Sequence, residues 1–141
     1  MAGLILDTSA LYAIADRDDK WHSAMRDAVE AWGGQRVVPV SVLVEACYLV
    51  GSYLGPAAEQ MVLRALIGGE FQLEGLDLRD LERSAAVLEK YADANVGFVD
   101  ASIVAVAERL KVSTIATTDQ RHFRLFRPKH CRSFELVPQR R

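Results

Sequence analysis

Leu4-Ile5-Leu6-Asp7-Thr8-Ser9-Ala10-Leu11-Tyr12-Ala13 is the stretch from which the fold can be read. Three consecutive apolar residues make a short strand that stops at Asp7. Ala10, Leu11, Tyr12 and Ile14 then fall on a helix, which the polar run Asp16-Arg17-Asp18-Asp19-Lys20 ends. A strand passing straight into a helix through an acidic residue is the opening unit of an α/β domain.

The same alternation continues outward. Trp21 to about Trp32 reads as a second helix stopped by Gly33-Gly34, and Arg36 to Val40 as a second strand. Ser41 stands where a cap would open a helix towards Leu54, and Gly55-Pro56 separates that helix from another ending near Gly68-Gly69. Phe71 to Glu74 alternates like a strand. Asp77 is placed to cap a long helix to about Tyr91, and a further helix runs from near Asp100 to Leu110. Ser113 to Ala116 and Phe134 to Val137 complete the strands. Strands interleaved with helices predict a mainly parallel sheet with helices on both faces, a three-layer α/β/α domain.

The chain has 141 residues, half of them hydrophobic and 26% charged, which excludes wholesale disorder and suits one domain over residues 1–141 with one core. At this size no structural metal or disulfide is needed. Cys47 and Cys131 are too few and too far apart for a disulfide framework, which points to free thiols in a reducing compartment. The longest apolar run, Val37 to Leu54, is interrupted by Pro39 and Glu45 and does not read as a membrane span. No secretory leader precedes Leu4, so a cytoplasmic location is expected.

The net charge of −2 hides an asymmetry. From Arg109 onward there are nine Lys/Arg against two Asp/Glu, leaving eight against seventeen before it. Arg121, Arg124, Arg127, Lys129 and Arg132 alternate with His122, Phe123, Phe126 and His130. That mixture suits phosphate contacts and base stacking, although a solvated basic tail has the same composition.

Four acids fall where α/β sheets bind ligands, at strand exits and helix N-termini. Asp7 follows the first strand, Asp119 follows Ser113 to Ala116, Glu45 lies early in the helix after the second strand, and Asp100 opens a helix. Glu45 has Ser41, Val42, Tyr48 and Leu49 as helical neighbours, which predicts an inward face. Asp100 shares a stripe with Ile103 and Val104 and is likewise expected to point inward. Taken singly, Asp7 and Asp100 are also explained as helix caps and Asp119 as a turn residue. One acidic cluster explains all four together. Two carboxylates about 5 Å apart repel by roughly 3 kcal/mol at an effective dielectric near 20. A cluster of oxygen donors therefore calls for protons or a hard divalent ion, Mg²⁺ or Mn²⁺ rather than zinc.

Leu6 to Ala13, the isolated Glu45, Phe98-Val99-Asp100-Ala101 and Ile115 to Phe123 together resemble a PIN domain, most closely the VapC ribonuclease toxins of bacterial type II toxin–antitoxin modules. The resemblance implies that Asp7, Glu45, Asp100 and Asp119 hold Mg²⁺ or Mn²⁺ and act in catalysis. Thr8, Ser9 and Thr117 match small polar positions that orient a carboxylate or water, and Asp93 matches an acid that some relatives carry near the site. It further implies RNA hydrolysis by water, leaving a 5′-phosphate and a 3′-hydroxyl. Arg121, Arg124 and Arg127 are then the expected RNA contacts, on a surface equally suited to an antitoxin. A VapB-type antitoxin and a homodimer are the implied partners. Rival readings are a PIN ribonuclease of RNA processing or decay, a catalytically silent RNA- or protein-binding module, and a haloacid-dehalogenase-like phosphatase. The last lacks its second Asp, since Ser9 stands there.

Overall fold

The computed structural model describes residues 2–139, and its strands form one five-stranded sheet. They are β1 (Leu4–Leu6), β2 (Arg36–Pro39), β3 (Gln72–Glu74), β4 (Thr114–Ala116) and β5 (Glu135–Val137), all parallel, in the order β3-β2-β1-β4-β5. The helices are α1 (Thr8–Ala15), α2 (His22–Glu30), α3 (Val40–Leu54), α4 (Pro56–Ile67), α5 (Leu78–Lys90), α6 (Phe98–Leu110) and α7 (Gln120–Leu125). They flank the sheet as the alternating pattern requires.

β1 sits centrally because nothing in it tolerates water. Leu4, Ile5 and Leu6 are fully buried between β2 and β4. Such burial contributes about 1.5–3 kcal/mol per side chain. The edge strands carry the polar residues: Gln72 is exposed on β3 and Glu135 on β5. Short, charged edges resist pairing with other chains. Phe123, Phe126 and Phe134 join the core from the far end of the chain, with edge-to-face contacts between Phe123 and both other rings.

Several boundaries differ from the sequence reading. α2 stops at Glu30, ahead of Gly33-Gly34, and frees Trp32 to donate its indole N–H to the Ala2 carbonyl at 3.0 Å. Gly34 is needed for that approach, since a Cβ there would stand 2.1 Å from the Ala2 oxygen. Ser41 is not a cap. α3 begins two residues earlier than that cap implies, with Pro39 at the cap position, so Ser41 lies inside the helix and its hydroxyl meets that of Ser102 on α6 at 2.6 Å. Gly55, at φ 97°, makes the break between α3 and α4 that Pro56 then exploits. Asp77 caps α5 as expected, in a reciprocal box with Asp80.

The sheet order creates a crevice. From β1 the chain proceeds to β2 and β3 on one side, and returns to β4 and β5 on the other. Where strand order reverses, the loops beyond the carboxyl ends diverge and leave room for a ligand. Here the crevice opens beyond the carboxyl ends of β1 and β4, over Asp7, Thr118 and Asp119.

Candidate active site

Asp7 is tied down at this reversal. Its amide donates to the Ala116 carbonyl at 3.0 Å, and it caps α1, with Oδ1 accepting the Thr8 N–H at 2.7 Å. Oδ2 accepts from the Ser9 hydroxyl at 3.1 Å and the Thr117 hydroxyl at 2.9 Å. Those hydroxyls are themselves held. The Thr118 N–H donates to Ser9 Oγ at 3.0 Å, and the Asp119 N–H donates to Thr117 Oγ1 at 3.0 Å. The two hydroxyls also lie 3.2 Å from each other, so Asp7, Ser9 and Thr117 form one connected network. Capping and site membership, alternatives in the sequence, are both true of this residue.

Asp7 and Thr8 are each only 5% exposed, and a cavity of about 500 Å³ lies over them. Glu45, Asp100 and Asp119 line the same cavity, and Ser9 and Thr118 form part of its wall. Asp100 is no cap: α6 starts at Phe98 with Gly97 before it, so the carboxylate sits in the first turn, third from the start. Asp119 holds the position before α7, but its side chain caps nothing and is 49% exposed. Glu45 is exposed at the cavity mouth rather than inward. The inward stripe of α3 is Val42, Ala46 and Val50, one residue round the helix. The sequence misled because α3 is apolar on its outer side too, with Val44 and Tyr48 exposed.

His122, read from the sequence only as part of the basic segment, and Asp19 also line this cavity. His122 reaches in from α7, its Nδ1 3.2 Å from Asp119 Oδ2 and 3.5 Å from Asp100 Oδ2, in contacts that lack hydrogen-bond alignment. The signal was present as the three-residue spacing Asp119 to His122, which becomes meaningful only once that segment is helical. Asp19 comes from the polar turn after α1. Asp93, by contrast, is exposed in a 3-10 turn (Ala92–Ala94) and does not line the cavity.

Electrostatics sets these acids apart. Burial pushes the Asp7 carboxyl up, its three hydrogen bonds pull it back, and the Asp119 charge adds to the rise. Burial also leads for Asp100, helped by the charges of Asp7, Asp119 and Glu45 and opposed by His122, and takes it to about 6. No Lys or Arg among the described residues forms an ion pair with any of the four.

Among the described residues no three His, Cys, Asp or Glu side chains already stand as a closed ligand cage. The acids line one cavity without yet converging on a single point. Their chemistry nevertheless fits a hard divalent cation, since the donors are carboxylate oxygens. Thr8 Oγ1 is buried without a partner in the same wall, as a site that takes up an ion or its water would leave it.

The basic segment divides. Arg121 and Arg124 are exposed on α7 and line a neighbouring cavity with Lys20 and Trp21. Arg127 turns back on its own helix, donating to the carbonyls of Arg124 at 2.7 Å and Phe126 at 2.9 Å. Its guanidinium satisfies the end of α7 instead of facing that cavity. Arg109 is consumed as well, bridging Asp80, Glu74 and the Gly75 carbonyl. Arg140 and Arg141 lie outside the described residues.

Fold and site together define a class: a parallel α/β/α domain with an acid-lined cleft at its strand-order reversal. The model of the PIN domain matches residues 4–127. The chain belongs to the PIN domain family. It is similar to ribonuclease VapC26 of Mycobacterium tuberculosis, 36% identical over 135 residues that cover 96% of this chain and all of that protein. Solved structures share the fold. VapC20 of M. tuberculosis, described as a toxin that cleaves the sarcin-ricin loop, superposes with a TM-score of 0.79 at 19% identity, covering 84% of this chain and 91% of that one. DNA-bound VapBC of Salmonella typhimurium gives 0.70 at 16% identity, over 96% of this chain and 97% of that one.

Proposed function

We propose that this chain is a Mg²⁺- or Mn²⁺-dependent endoribonuclease and the toxin of a type II toxin–antitoxin module, held in check by a VapB-type antitoxin. The observation that carries the reading is a buried carboxylate, Asp7, with Asp100, Asp119 and Glu45 around the same cavity and no Lys or Arg among the described residues paired with them. Likeness to a ribonuclease along the whole chain supports it.

Asp7, Glu45, Asp100 and Asp119 would hold the ion. When bound, a divalent ion activates water, offsets charge on the phosphate and steadies the leaving oxygen. The chain supplies the rest. Ser9 and Thr117 fix the Asp7 carboxylate in one orientation through hydroxyls that are themselves held by amides. His122 stands within 3.5 Å of both Asp100 and Asp119. Arg121 and Arg124 draw RNA phosphates towards an otherwise repellent pit.

The toxin assignment also rests on surface. Tyr48 and Tyr53 of α3, with Met61 and Ile67 of α4, are each more than 70% exposed. Such an apolar face suits a protein partner, whether antitoxin or a second copy in a homodimer. Incubating purified protein with RNA, with and without chelator, tests the activity directly. Cleavage that requires Mg²⁺ or Mn²⁺ and leaves 5′-phosphate ends is expected; chelator-resistant cleavage or cyclic phosphate ends refutes it. Growth arrest on expression without a partner separates a toxin from a PIN nuclease of RNA processing.

A further inference from the structure

Beside the acid cavity lies a second one, of about 720 Å³, and the two share Thr118, Asp119 and His122 as a common wall. Their chemistries are opposite. The second is lined by Lys20, Arg121 and Arg124, together with the half-buried indole of Trp21. Lys20 and Arg121 form no ion pair among the described residues.

The aromatic and the cations are positioned from below. Asp19 Oδ1 accepts the Trp21 backbone N–H at 2.8 Å, fixing the turn that carries Trp21, whose ring packs partly on the core, while Asp19 itself lines the acid cavity. Arg124 donates to Gln120 Oε1 at 3.1 Å, and the Gln120 amide donates in turn to the Pro138 carbonyl at 2.9 Å. Gln120 is buried, so this arginine stands on a fixed support. Three-residue spacing puts Arg121 and Arg124 on one side of α7.

We infer that Trp21, with Lys20, Arg121 and Arg124, forms a subsite for one unpaired nucleotide of single-stranded RNA next to the phosphodiester that lies over the acids. The inference rests on the ribonuclease reading and adds to it what the substrate must look like. An indole offers a π-face to any base, and cations spaced around it meet the flanking phosphates. A base in a duplex is already stacked on both faces, so only a loop, bulge or single strand can enter. The shared wall places this base one step from the acids.

The test uses a Trp32→Phe protein, in which Trp21 is the sole tryptophan, with chelator present to prevent cleavage. A single-stranded oligoribonucleotide is expected to quench Trp21 fluorescence at concentrations at least tenfold below those at which a duplex of the same sequence does. In cleavage assays of single-stranded RNA, Trp21→Ala is expected to raise KM about tenfold, with kcat within about twofold. Trp21→Phe, which keeps a stacking face, should restore most of the loss. Absence of quenching, equal quenching by duplex, or an unchanged KM in Trp21→Ala overturns the subsite. So does an unchanged KM accompanied by lost antitoxin binding, which would assign the cavity to the protein partner. The two readings fail separately: quenching without metal-dependent cleavage by the parent protein keeps RNA binding and removes the nuclease, whereas cleavage without quenching removes only the subsite.

Discussion

Two groups of acids in this molecule are built from the same side chains and face opposite fates. Along the packing of α5 against α6, the Asp80 carboxylate accepts the Asp77 backbone N–H at 3.1 Å and two hydrogen bonds from Arg109, also at 3.1 Å. Glu108 there takes two bonds from Arg83, at 2.6 and 3.1 Å, and a third from the Lys129 amide at 2.8 Å. Burial is the largest single influence and would raise both carboxyls, but the arginines together with the backbone amides of Asp77 and Lys129 outweigh it and hold each below its ordinary value. At the carboxyl ends of β1 and β4 the acids have each other, hydroxyls and one histidine, and Asp7 and Asp100 are pushed up instead. Carboxylates with arginines hold helices together. Carboxylates denied them are free to serve a ligand.

The strongest way to break this contrast is to remove one charge from each group. Asp7→Asn is expected to lower RNA cleavage by more than the roughly 10–100-fold typical of losing a partner that only orients a ligand, with the fold intact by circular dichroism. Full activity in that variant would end the assignment. Asp80→Ala should do the reverse. It leaves Arg109 without its main partner and α5 without its capping box, at a cost of about 2–4 kcal/mol in denaturant unfolding, while the folded fraction cleaves normally.

A smaller effect separates the groups without mutation. Millimolar Mg²⁺ or Mn²⁺ should raise Tm by several degrees through selective binding to the folded state, corresponding to about 2.7 kcal/mol at 100 times Kd. The rise should vanish in Asp7→Asn and persist in Arg83→Ala. Smallest is a pair of opposed pH slopes. The raised Asp100 costs stability when ionised, so Asp100→Asn should stabilise the metal-free protein at pH 7, and the gain should shrink as pH falls through about 6 towards 4. The depressed Asp80 contributes stability above its unfolded value near 3.9 and loses it below. Asp80→Asn should therefore destabilise at pH 7, with the difference closing only under acid. Parallel slopes in the two variants would erase the distinction.

What the sequence made legible follows from how locally each feature is encoded. Apolar Leu4 to Leu6 ending at Asp7 was legible as a short strand, and Asp77 ahead of a helical run announced its own cap. Asp7 and Asp119 were placed by strand ends, which are local too. Glu45 was read as inward because a helix with two apolar sides gives periodicity no direction. α7 was missed because six residues carry too little pattern, and with it went His122 and the backward fold of Arg127. The ion pair of Arg109 spans 29 residues and Arg127 folds back on its own helix, so the excess basic charge near the C-terminus looked freer than it is.

The order of strands has a consequence for synthesis. β1 precedes one of its two neighbours, β4, by more than a hundred residues, since β4 begins only at Thr114, and one of the two hydroxyls that steady Asp7 belongs to Thr117. While the chain is being made, Asp7 has its local bonds from Thr8 and Ser9 but neither the strand nor the hydroxyl that complete its setting. A chain that stops short of Thr117 is therefore expected to lack a finished site.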